Sequence, residues 1–255
     1  MRQYVVTPAA GKRLIAKGIS EHPEVLRALK EGTVVVLAGT TNGYVAEELL
    51  GKIGQADGFS MKGFVRGITV PPYVSTTEIG RSPGGHQFPG DVVIVKGNWI
   101  KGKTVFDVVD DLQEGDVILK GANSIDLTRK QAAILIGHPK CGTIGVIMQA
   151  AIGRRVRLIL PVGLEKRVPS DLNELAARVN SPGSEGPRLF PVSGEVFTEI
   201  EALSLLTGAK AEIVAAGGIC GAEGAVWLAV WGSDEEMEKA NALMESVVGE
   251  PQYSL

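Results

Sequence analysis

Four unbroken apolar runs, "TVVVLA" (33–38), "DVVIV" (91–95), "DVIL" (116–119) and "RVRLILP" (155–161), constrain this chain more than any other feature. A strand with one wet face alternates apolar and polar side chains. A run without alternation is a strand covered on both faces, as in a parallel sheet between layers of helix. Helical patterns lie among these runs. "AGKRLIAKG" and "PEVLRALKEG" come before the first, "YVAEELLGKIG" follows it, "TIGVIMQAAIG" precedes the fourth, and "SDLNELAARV" follows that with Ser170 and Asp171 at its mouth. Strands alternating with helices imply right-handed crossovers. The expected class is α/β, with a Rossmann-like, mostly parallel sheet flanked by helices.

Two stretches depart from this pattern. Residues 57–90 carry Pro-Pro and Gly-Gly pairs and read as an irregular excursion, with Arg81 and His86 in a frame suited to closing over an anion as a lid. "NSPGSEGPR" (180–188) reads as a linker. Beyond it a strand (189–193), a helix (195–207), two strands (210–219 and 224–231) and a helix (233–248) spell a small α+β unit. The expected organisation is a ligand-binding core over 1–187 and a C-terminal unit over 188–255.

Charge and cysteine usage narrow the partners. With 26 basic against 29 acidic residues and no basic run, nucleic acid is not an expected partner. No apolar stretch reaches a membrane span and the start lacks a signal-peptide core, so a cytoplasmic protein without a membrane partner is expected. Cys141 and Cys220 have no metal-ligand spacing and read as free thiols; no metal site is expected. The 33 glycines, well above the usual share of about 7%, gather after the strand runs, where a backbone turns or approaches a ligand.

In a parallel sheet the loops that leave strand C-termini share one edge, and ligands bind there. Four loops carry suitable chemistry. "AGTTNG" sets Gly39, Thr40, Thr41, Asn42 and Gly43 at a helix start, where unpaired amides favour a phosphate or carboxylate; Thr41 or Asn42 as a plain helix cap is the alternative. "KGANSID" offers Lys120 as a charge or proton source, Gly121 for close backbone approach, and Asn123, Ser124 and Asp126 as donors and acceptors; an ordinary polar turn explains it too. "GHPKCGTIG" sets Lys140, Cys141, Gly142 and Thr143 at another helix start, where a thiol is a candidate nucleophile or acid. His138 there reads as a cap. "PVGLEKRV" ends on Glu165, a candidate general base, and Lys166. Glu223 and Cys220 lie in a glycine-rich turn at 215–226, and Trp99, Trp227 and Trp231 fit core or interface positions.

Taken together, "GTVVVLAGTTNGYVAEEL", "GDVILKGANSID" and "PKCGTIGVIMQAA" before "RVRLILPVGLEKRV" resemble the superfamily of ribose-5-phosphate isomerase, glucosamine-6-phosphate deaminase and the CoA-transferase-like proteins. The second and third are most similar to methylthioribose-1-phosphate isomerase and initiation factor 2B-type subunits. The resemblance covers roughly residues 20–170. It implies a small anionic metabolite on the 39–43 loop and acid–base chemistry after "DVILKG". Asn123 stands where the isomerases carry a catalytic aspartate, and it takes no proton at neutral pH. The implied reading is a metabolite-binding protein with isomerase or transferase activity. Thr40, Thr41 and Asn42 hold the anion, Lys120 neutralises charge, and Asn123 and Asp126 orient the reacting group. A CoA-transferase variant uses Glu165 or Glu223 as nucleophile toward an acyl-CoA; otherwise no cofactor is required. The rival class is a non-catalytic sensor or scaffold, and a homo-oligomer through Trp227 or Trp231 is expected on either reading.

Overall fold

The computed structural model describes residues 1–67, 69–73 and 88–254. Strand β1 (Arg2–Val6) leads into helices α1 (Pro8–Ser20) and α2 (Pro23–Glu31), then β2 (Thr33–Val36) and α3 (Thr40–Lys52). Strands β3 (Val92–Val95), β4 (Asn98–Trp99), β5 (Val117–Leu119), β6 (Ser124–Asp126) and β7 (Gln131–Ile136) follow. Next come α4 (Gly142–Met148), β8 (Arg157–Pro161), α5 (Leu172–Val179), β9 (Arg188–Val192) and β10 (Glu195–Phe197). The chain closes with α6 (Glu199–Thr207), β11 (Lys210–Ala216), β12 (Val226–Trp231) and α7 (Asp234–Val247).

The central six-stranded sheet has the order β10-β8-β5-β2-β3-β4. Its first four strands are mutually parallel; β3 pairs antiparallel with β2, and β4 antiparallel with β3. The protein is thus an α/β protein with a mostly parallel central sheet. Val34, Val35 and Val36 of β2, and all of β5, are buried, as the absence of alternation in these runs requires. The apolar run of β3 looks the same in sequence yet points the other way, because burial on both faces carries no information about direction.

Helix starts follow local chemistry. Thr7 accepts the Ala10 amide ahead of Pro8. Thr198 with Glu201, and Ser233 with Glu236, form reciprocal capping boxes at α6 and α7. Helix α1 packs against both α3 and α6 and touches β8. Among the described residues, no helix is long and apolar enough to cross a membrane.

Two small antiparallel sheets complete the fold, with orders β6-β7-β9 and β1-β12-β11. A boundary after residue 187 does not separate the sheets. Of the strands beyond it, β9 joins β7, β10 joins the central sheet beside β8, and β12 pairs with β1. The expected helix over 195–207 is also shorter: the Thr198 cap starts it at Glu199, and Glu195–Phe197 is strand. The expected lid residues Arg81 and His86 lie outside the described residues.

Candidate functional site

Parallel neighbours lie about 4.8 Å apart, so the ends of β2, β5, β8 and β10 span roughly 15 Å, the reach of a small metabolite. Three of the expected loops leave this edge: 39–43 after β2, 120–123 after β5 and 162–166 after β8. The fourth, with Lys140, Cys141, Gly142 and Thr143, follows β7 of a small antiparallel sheet. Its helix α4 packs on the turn Val105–Asp107, and Asp91 accepts the Val105 amide of that turn at 2.9 Å.

A charged group forms where β2, β3 and β5 meet. The Val36↔Val92 pairing sets Asp91 beside the end of β2, and the carboxylate accepts the Ala38 amide at 3.0 Å. Asp91 is almost fully buried, and Arg66 Nη1 lies 3.6 Å from it. The Arg66 guanidinium also covers the Phe88 ring at 4.6 Å. Lys120 continues β5 into this region, its amide donating to Ile159 O at 3.1 Å. Its Nζ makes no hydrogen bond or ion pair among the described residues. Burial, and then the Arg66 charge, push the amine down to about 8 against the opposing pull of Asp91. Asp91 thus faces the Arg66 guanidinium while its oxygens also serve two amides.

Asn42 gives its amide nitrogen to the fold. Its Nδ2 donates to Leu37 O at 2.7 Å and Leu119 O at 2.9 Å, binding the ends of β2 and β5 together. Its Oδ1 and Thr41 Oγ1 are buried with no hydrogen-bond partner among the described residues. Asn42 is thus a positioning residue for the strand ends. Asn42→Ala strips donors from two carbonyls and is expected to lower stability by about 2–3 kcal/mol in urea melts.

A second group lies where β8 and β10 end. Glu199 is 2% exposed, and its Oε2 accepts the Leu164 amide at 3.0 Å, which sets Glu165 beside it. Glycines leave room on both sides. A β-carbon at Gly11 would collide with the Glu199 carboxylate, and one at Gly163 with that of Glu165. Burial, and then the Glu165 charge, push the Glu199 carboxyl up to about 8, with the Leu164 amide and Lys166 opposing. Lys166 donates to Ala122 O at 3.0 Å and is itself lowered by burial, the Glu165 charge working against that. A carboxyl group biased toward its protonated form thus adjoins a second carboxyl group at the sheet edge, an arrangement able to give and take protons.

No family model, curated protein or solved structure matches this chain.

The remaining expected residues have other places. Asn123 Oδ1 accepts the Leu135 amide at 3.0 Å and its own amide donates to Ala133 O at 2.9 Å, so it braces the β6–β7 hairpin. Asp126 accepts the Thr128 and Arg129 amides and pairs with Arg129 Nη1 at 2.9 Å; those bonds hold its carboxyl below the usual range and tie up its oxygens. Thr143 is buried, Lys140 exposed, and Cys141 holds a left-handed φ of 59° ahead of α4. Glu223 accepts the Gly221 amide at 2.8 Å in an exposed turn. Among the described residues, no group of three or more His, Cys, Asp or Glu is placed to hold a metal ion. Sequence reasoning missed Arg66, Asp91 and Glu199. For Glu199 there was a signal: the Thr198-x-x-Glu201 capping box marks the helix start, so Glu199 follows a strand end.

Proposed function

We propose that this Rossmann-like core binds a small phosphorylated or carboxylated metabolite at the carboxyl edge of its parallel strands, and moves a proton on it as an isomerase does. The observation that carries this reading is Lys120, which directly follows β5 between two parallel strands and whose Nζ makes no hydrogen bond or ion pair among the described residues. Sequestering such a charge costs stability unless something compensates it. An anionic ligand supplies that compensation, and the start of α3 at Thr40 adds backbone amides at the same edge. Glu199 and Glu165 supply the proton donor and acceptor.

The test is a thermal-shift panel of inorganic phosphate, sugar phosphates and small carboxylates. An anion at a hundred times its dissociation constant adds about 2.7 kcal/mol, a rise of about 5 °C or more in a chain of this size. Arg66→Ala is expected to lose that rise. If no anion in the panel shifts the wild type, or if Arg66→Ala shifts equally, the reading fails.

A further inference from the structure

We propose that the segment after α7, residues 250–253, is a releasable strap that fixes the start of α3 through the turn behind it. Its release loosens the 39–43 loop while the rest of the fold stays closed. The segment has neither helix nor strand. Three side-chain ties hold it, each to a different part of the molecule. The Glu250 carboxylate takes Arg13 of α1 in a bidentate pair, accepting Nε at 2.9 Å and Nη2 at 3.1 Å. Gln252 Nε2 donates to Gly221 O at 3.0 Å, in the turn between β11 and β12. Tyr253 lays a half-buried ring against the core and donates its hydroxyl to Met61 O at 2.7 Å.

The tyrosine tie reaches the candidate site in two steps. Met61 O also accepts the Phe64 amide at 3.0 Å, closing the turn Met61–Gly63. Phe64 is fully buried, and its carbonyl accepts the Gly39 amide at 3.1 Å, directly ahead of α3. The Met61 side chain lies on Gly43 in the first turn of that helix, where an added β-carbon would come within 3.3 Å of Met61 Cγ. Gly39 and Gly43 bound the loop, and both rest on the turn that Tyr253 holds.

The glutamate tie touches the same helix from another side. Arg13 also donates to Glu47 and Glu48 of α3, at 2.6 and 2.8 Å, so strap and helix share one guanidinium. A segment held by a few side-chain bonds opens at a smaller free energy than the sheets and helices beneath it. Attachment and loop order are also linked, so that whatever orders 39–43 favours the attached strap.

Native-state hydrogen exchange on the whole chain, read amide by amide, tests this. Tyr253→Phe keeps the ring and loses the hydroxyl; Glu250→Gln keeps the size and loses the charge. In each, the Gly39 and Phe64 amides are expected to exchange about fivefold faster than in wild type, and in the double variant faster still. The Asn123 and Leu135 amides, bonded within the β6–β7 hairpin, should keep their rates. Unchanged rates at Gly39 and Phe64 in all three variants would overturn the proposal. Equal acceleration at Asn123 and Leu135 would overturn it too, since the whole fold, and not one loop, would then have loosened.

Discussion

Replacing Lys120 with methionine is expected to raise stability at pH 7 by about 2 kcal/mol while abolishing the thermal shift with phosphates. The two effects have one origin. Lys120 ionises at about 8 in the fold against 10.5 for an ordinary lysine, so at pH 7 it is charged in folded and unfolded chains alike, and the fold carries the full cost of enclosing that charge. Between pH 8 and 10.5 the unfolded chain binds more protons than the folded one. Stability therefore rises with pH over that window, and the cost disappears above it. The interval is worth at most about 3 kcal/mol, reduced here because water reaches part of the side chain. Urea melts at pH 7 and pH 10.5 check this: the methionine variant should lead at the first and lose its lead at the second. A variant less stable at pH 7, or one that still responds to phosphates, would show that Lys120 serves the fold rather than a ligand.

Glu199→Gln gives the second large effect, with the opposite dependence on pH. The carboxyl ionises at about 8 in the fold against 4.5 ordinarily, so from pH 4.5 to 8 the folded chain holds a proton that the unfolded chain has released. Stability falls as pH rises through that window and levels off above it. Glutamine keeps an oxygen for the Leu164 amide but carries no charge, so the variant should be about 2–4 kcal/mol more stable at pH 8 and close to wild type near pH 4.5. Denaturant midpoints across that range decide it. Parallel curves for the two proteins would mean that Glu199 is ionised throughout. Together Lys120 and Glu199 place a stability minimum near pH 8 in the wild type, since one contribution falls up to that pH and the other rises beyond it.

The sequence carried the strands of the central sheet because their burial on two faces leaves a mark that needs no partner to interpret. "TVVV", "DVIL" and "RLILP" became β2, β5 and β8 for that reason. Strand direction left no such mark, and β3 is the case in point. Strand β1 was not anticipated, because "RQYVV" lies mostly exposed and gains its partner from β12, far along the chain. The site divides in the same way. Lys120 was legible as a polar residue that directly follows an apolar strand, and Glu165 as one in the loop a few residues after another. Arg66 and Asp91 were not, since their meeting depends on an antiparallel neighbour and on a loop returning over the sheet. Asn42, Asn123 and Asp126 looked like ligand groups because their hydrogen-bonding capacity is visible in sequence, whereas the backbone groups that consume it are visible only in the fold.

The pairing of β1 with β12 has a consequence for biosynthesis. Among the described strands, the first to leave the ribosome, β1, must wait for the last, β12, before its hydrogen bonds can close, so the β1-β12-β11 sheet forms late. Until then α1, which touches α6 and α7 as well as β1, has only part of its final surroundings. A nascent chain halted before residue 226 thus has α3 and α6 to pack on α1 but leaves uncovered the part of α1 that meets α7, along with the unpaired β1, which makes that corner a natural landing place for chaperones.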